Sequence, residues 1–168
     1  MIPSLLIAWI TGLACAGTPQ VPTSPTPSPN DTVQNNSPQP DAEAQEVYEA
    51  LSVREPEPRC DSVKALTQTP VATLLFVVEH AKMPPWAGIR AAQCLVWYHA
   101  EEIETEMIHW VNTEDTRGFA MVVIDALDRM PIATAMVVAP HALSSPLADE
   151  TRVRIEESSS AQLRTLLQ

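Results

Sequence analysis

From residue 60 onward, apolar residues return every three or four positions, the spacing of a buried helical face. Phe119, Val122, Val123, Ala126 and Leu127 fall at i, i+3, i+4, i+7 and i+8. The runs Phe76-Val77-Val78 and Met121-Val122-Val123-Ile124 are β-prone, but the chain holds only 4 Gly and lacks the turn dipeptides of hairpins. Its apolar segments are also longer than ordinary strands. The pattern therefore predicts helices near 41–53, 61–67, 71–82, 85–99, 102–112, 115–129, 132–143 and 147–158, with a frayed helix running to 167. Pro70, Pro85 and Pro131 stand where first helical turns begin. Thr113 with Asp115 or Thr116 supplies capping oxygens for the helix over 115–129.

The same pattern contains an internal repeat. Val71-Ala72-Thr73-Leu74-Leu75-Phe76, Ile103-Glu104-Thr105-Glu106-Met107-Ile108 and Ile132-Ala133-Thr134-Ala135-Met136-Val137 align without gaps, at offsets of 32 and 29 residues. The first and third copies run on to His80-Ala81 and His141-Ala142. Each copy is followed by a second apolar segment, so the unit is a helix pair of about 30 residues. The last of these second segments, residues 147–159, is charged with Asp149, Glu150, Arg152, Arg154, Glu156 and Glu157. A polar last helix suits a terminal unit that has no following neighbour.

The first 40 residues have a different character. Residues 2–14 are uncharged and mostly apolar, which matches the apolar core and cleavage zone of a secretory signal, although no Lys or Arg precedes them. Gly12-Leu13-Ala14-Cys15 resembles the lipobox of bacterial lipoproteins, with Gly12 where Leu is usual. That resemblance implies lipidation of Cys15. The alternative is the small-residue site Ala14-Cys15-Ala16, where cleavage after Ala16 releases a soluble protein. Residues 16–40 follow with seven prolines among Thr, Ser, Gln and Asn, a composition that cannot bury a core and reads as an extended tether. The expected organisation is a signal peptide at 1–14, lipidated Cys and disordered linker at 15–40, an N-terminal helix and connector at 41–57, and a helical repeat domain at 58–168.

Of the 3 cysteines, lipidation of Cys15 leaves Cys60 and Cys94 as an even pair. Behind an export signal that pair reads as a disulfide; in the cytosol it would read as two buried thiols. The formal net charge of −11 sets nucleic acid aside as a partner. No apolar run reaches the roughly 18 residues that a membrane-spanning helix needs.

Signals of chemistry are sparse. The histidines His80, His99, His109 and His141 include no pair at i, i+4, and no C-x-x-C or H-E-x-x-H motif is present, so no metal site is expected. His80 and His141 occupy matching repeat positions and read as groups near helix C-terminal carbonyls. No nucleophile motif stands out. The carboxylate pairs Glu101–Glu102 and Asp125–Asp128 read as solvated helix faces. No cofactor and no small-molecule substrate are expected. Trp86, Trp97, Tyr98 and Trp110 cluster around the first two units, and exposed aromatic residues of this kind, with Arg90, would form a partner-binding patch. The favoured reading packs most of them between helices, with Trp86 the most exposed, and the partner-binding patch is its alternative.

The pair period, the Pro-flanked first helices and Trp86-x-x-x-Arg90-Ala91-Ala92 at the start of a second helix make residues 60–158 similar to HEAT-repeat proteins. In that family an Asp commonly sits in the turn, with an Arg and an Ala along the following helix. Asp115 with Arg117, and Asp149 with Arg152, fit that pattern in part, whereas no Asp precedes Arg90 in the first unit. The resemblance implies an all-α fold, a short α-solenoid of about three stacked antiparallel helix pairs. Together with the N-terminus it implies an envelope protein, lipid-anchored on the periplasmic side of the outer membrane, that binds a protein partner as an adaptor or scaffold without catalysis. The alternative function is an envelope enzyme or accessory subunit with a polar site at His99, Glu101 and Glu102. A self-associating structural component is a third reading.

Overall fold

The computed structural model describes residues 42–54, 59–81 and 84–168. The proposed signal peptide, Cys15 and the Pro-rich linker lie outside the described residues, as does most of the connector after the first helix. Among the described residues the chain is all-helical, with no strand. Its α-helices are α1 (Ala42–Ser52), α2 (Cys60–Leu66), α3 (Pro70–His80), α4 (Pro85–Tyr98), α5 (Glu104–Asn112), α6 (Arg117–Asp125), α7 (Ile132–Leu143), α8 (Ala148–Glu157) and α9 (Ala161–Arg164). None is long and apolar enough to cross a membrane.

Local chemistry explains most of the boundaries. Pro70 and Pro85 occupy the first turns of α3 and α4, where a missing N–H costs nothing and φ is already helical. The start of α6 departs from expectation. Neither Thr113 nor Thr116 caps it with a side-chain oxygen. Instead the Thr116 hydroxyl donates backwards, to the carbonyls of Trp110 and Thr113, both at 2.8 Å. It thereby closes the end of α5, and a single 3₁₀ turn leads into α6. The other end of α6 stops at Asp125 rather than 129, because residues 126–130 tighten into turns ahead of Pro131. A proline disfavours helical backbone in the residue before it, so the helix closes early. Ala126 and Leu127 nevertheless stay buried, so the apolar face persists through the turn.

The core is organised around α4. Its Ala87, Ala91, Ala92, Cys94, Leu95 and Val96 are all buried, and α4 packs against α1, α3 and α6. Burying a side chain such as Leu95 contributes about 1.5–3 kcal/mol, and the small alanines let the neighbouring helices approach closely. Helix α3 packs on α4, α5 on α6 and α7 on α8. Helix α4 also packs on α6 and α6 on α8, while α5 packs on α7.

The burial pattern corrects the middle copy of the repeat. Thr73 and Thr134 are buried, whereas Thr105 is exposed. The inward-facing positions are Leu74, Val77 and Val78 in α3, Met107, Trp110 and Val111 in α5, and Ala135, Val138 and Ala139 in α7. Matching these sets shifts α5 by one residue, so that Glu106 corresponds to Thr73 and Thr134. The buried Thr73 hydroxyl meets that of Thr67 at 2.9 Å, and Thr67 in turn donates to Glu43 at 2.7 Å. This chain of bonds joins α1 to the start of α3.

The C-terminal segment is anchored rather than frayed. The Ser160 hydroxyl accepts from the Leu163 N–H at 3.3 Å as a helix cap, Leu163 is fully buried, and α9 packs on α7. Helix α8 buries only Thr151 and Ile155. Its polar residues tie it to α6 through the ion pairs Arg117–Glu150 and Arg154–Asp125, and just past the ends of the two helices the Ser158 hydroxyl donates to Asp128.

Candidate functional site

Cys60, at the start of α2, and Cys94, in the middle of α4, are joined by a disulfide. The bond pins the short α2 to the central helix, which α2's only other buried residue, Val63, would hold weakly alone.

The aromatic residues do not assemble into one patch. Trp110 is only 5% exposed and packs against Phe119 with ring centroids 5.5 Å apart. It is almost wholly buried and adds little to the outer surface. Trp86 is 39% exposed, but its indole N–H donates to the Ser52 carbonyl at 3.1 Å. Arg90, one turn along α4, donates to the carbonyls of Leu51 and Val53. Both side chains therefore grip the C-terminal end of α1, where helical carbonyls lack intrahelical partners. Trp97 is half-buried beneath the Arg129 guanidinium, 4.8 Å from the ring centroid. The exposed Tyr98 ring stacks with Lys64 of α2 at the same distance, 4.8 Å. Of the five expected patch residues, the structure brings only Trp86 and Arg90 together.

The polar alternative is likewise local in its geometry. His99 caps the end of α4, and its Nδ1 meets Glu102 Oε1 at 2.7 Å across the turn into α5. Glu101 is exposed and takes no part in that contact. The Nδ1–H of His80 donates to the Phe76 carbonyl at 2.9 Å, and the His80 ring stacks on the Phe76 ring. This places His80 at a helix C-terminal carbonyl, as its repeat position implies. Asp125 and Asp128 are committed to Arg154 and Ser158. Among the described residues no cluster of His, Cys, Asp and Glu is arranged to hold a metal ion.

A different surface carries the geometry of a docking site. It is built by the first helices, and sequence reasoning did not single it out. With the register set by burial, three outward rows cross α3, α5 and α7: Ala72, Thr105 and Ala133; Leu75, Ile108 and Met136; Phe76, His109 and Val137. The middle row is apolar and half-buried throughout. Helix α7 extends it with Ile132 at 39% and Val137 at 42% exposure, and contains no charged carboxylate, Lys or Arg. Helices α5 and α7 pack directly, but α3 and α5 stand apart and wall a groove of about 560 Å³. Val78, Trp110 and Phe119 form its apolar floor; Leu75 and Glu79 line one wall, Thr105, Glu106 and His109 the other. Thr116 completes the lining, so an apolar floor lies under largely polar walls, and the volume falls in the range of roughly 300–1,000 Å³ of a side-chain or small-ligand site. The one signal that was readable beforehand is charge: α1, α3, α5 and α7 contain no Lys or Arg at all.

No family model, no curated protein and no solved structure matches this chain.

Proposed function

We propose that this chain is a lipid-anchored envelope protein whose helical domain holds another protein. In this reading α3–α4, α5–α6 and α7–α8 are three stacked pairs of a short HEAT-like solenoid, and α1 with α2 closes its N-terminal end. The successive packing of α4, α6 and α8 supports the stacking. The anchor rests on the uncharged apolar residues 2–14 and the Gly-Leu-Ala-Cys sequence ending at Cys15. The Pro-rich residues 16–40 would hold the domain away from the membrane surface.

The observation that carries the binding role is the half-buried row Leu75, Ile108 and Met136, set beside the groove between α3 and α5. Apolar residues aligned across successive units, bordering a concavity with an aromatic floor, are what a protein segment docks on. Of the residues that the sequence nominated, Trp110 lies in the groove floor, while Trp86 and Arg90 hold the end of α1, which packs on α3.

A photo-reactive amino acid at position 105, inside the groove, tests the reading in native envelopes. The control is the same group at position 153, on α8, where Val153 is 54% exposed. A discrete adduct from position 105 and none from 153 is the expected result; equal labelling, or none from 105, overturns it. Mass spectrometry of the N-terminal peptide in the same sample reads the anchor, expected as a diacylated Cys15.

A further inference from the structure

Charge is divided between the two helix layers. The helices α1, α3, α5 and α7 carry Glu43, Glu46, Glu49, Glu79, Glu104 and Glu106, with no Lys or Arg among them. The cations sit elsewhere, and several are matched there: Arg117 with Glu150, Arg152 with Asp149, Arg154 with Asp125. Among the described residues no Lys or Arg forms an ion pair with Glu79, Glu104 or Glu106. Glu79 and Glu106 stand on opposite walls of the groove, and the Glu79 side chain is 71% exposed. The Nδ1 of His80 lies 4.0 Å from Glu79, and an apolar floor is thus framed on both sides by carboxylates that pair with no Lys or Arg among the described residues, within a chain of net charge −11.

We propose that the groove between α3 and α5 takes one apolar side chain of a Lys- or Arg-rich segment of another protein, with the flanking cations meeting Glu79 and Glu106. This rests on the adaptor reading and adds the chemistry of the partner. The division of labour is physical. The floor of Val78, Trp110 and Phe119 supplies the dry contact that holds the anchor residue. The acidic walls select the segment by charge, speed its approach, and reject acidic competitors. A lysine or arginine stem laid along the groove covers apolar surface while its charged head stays in water beside a carboxylate.

Selection of a random 12-residue peptide library on the full chain tests this, followed by fluorescence anisotropy with the enriched peptides. The expected peptides carry one large apolar residue flanked by Lys or Arg. Their affinity should fall about tenfold when ionic strength rises from low to high salt. Thr105→Trp, which fills the groove from an exposed position, should abolish binding. The double substitution Glu79→Lys with Glu106→Lys should weaken the basic peptides at least about tenfold and enrich acidic ones in a repeated selection. Circular dichroism melting verifies that both variants keep the fold. Enriched peptides that are blocked by Thr105→Trp but are neutral or acidic overturn the partner chemistry while leaving the adaptor reading in place. No enrichment, or binding indifferent to Thr105→Trp, overturns the groove as a docking site and the adaptor reading with it.

Discussion

The indole N–H of Trp86 donates to the Ser52 carbonyl across 34 residues of sequence, 3.1 Å from a group that the end of α1 leaves without a helical partner. Arg90 completes the grip on Leu51 and Val53. Trp86→Phe keeps the ring and removes the donor, so it should cost about 1 kcal/mol; Arg90→Met removes a charged donor and should cost about 1.5–3 kcal/mol. Urea denaturation measures both. Hydrogen exchange should show the amides of α1 losing protection before those of α4.

The disulfide gives a second expectation. Cys60 and Cys94 are 34 residues apart, and closing a loop of that size stabilises by roughly 3.5–4 kcal/mol in the chain-entropy account. Reductant should therefore lower the melting temperature, and the loss should appear first in α2. A melting curve unchanged by reductant would contradict this.

Two glycines lie at the α4–α6 crossing, with different surroundings. A Cβ at Gly88 would meet Phe119 Cε1 and the Val78 carbonyl oxygen at 3.7 Å, ordinary contact distances. Gly88→Ala should raise stability by about 0.5–1 kcal/mol, the helical advantage of alanine. A Cβ at Gly118 would come within 2.9 Å of Ile89 Cδ1, the tip of a flexible side chain. There the gain and the displacement oppose each other, and Gly118→Ala should leave the melting temperature nearly unchanged.

Leu163 is fully buried although it sits five residues from the last position. Leu163→Ala should cost about 2–4 kcal/mol, as a large-to-small change in a core does. The same substitution on a frayed tail would cost nothing measurable, so thermal unfolding separates the two cases.

Most of the helices were legible in the sequence because their apolar periodicity and their prolines agree: α3, α4 and α7 begin within a residue of where these signals put them. The end of α6 was harder. Its apolar face continues through Ala126 and Leu127 while the backbone turns, and a hydrophobic pattern reports the face, not the hydrogen bonding beneath it. The one-residue error in aligning α5 has a related cause. Thr105 matches Thr73 and Thr134 by residue type, but burial follows position on the helix, and the bulky Met107 and Trp110 set it there. The aromatic residues were legible only as a group, most of them packed and Trp86 the most exposed of the described tryptophans. Composition says that tryptophans favour interfaces, yet which one is outside depends on neighbours far along the chain: Phe119 for Trp110, Arg129 for Trp97, Ser52 for Trp86. The groove was invisible because it arises from the separation of α3 and α5, and separation has no signature in either helix alone. The lack of Lys and Arg in α1, α3, α5 and α7 could have marked that face, had charge been tallied by helix instead of by chain.

The mismatch between α5 and its neighbours has a metric consequence. Helices α3 and α7 present aliphatic and aromatic rails, Leu75 with Phe76 and Met136 with Val137, whereas α5 between them presents Ile108 beside His109 and Thr105. Packed helix axes lie about 8–10 Å apart, and α3 stands off from α5 by more than that, so the two rails are separated by more than about 20 Å. A segment laid across both must space its apolar residues by more than about 6 positions if extended, or more than about 13 if helical. The domain is in this sense a ruler: it measures the interval between two side chains as well as their kind.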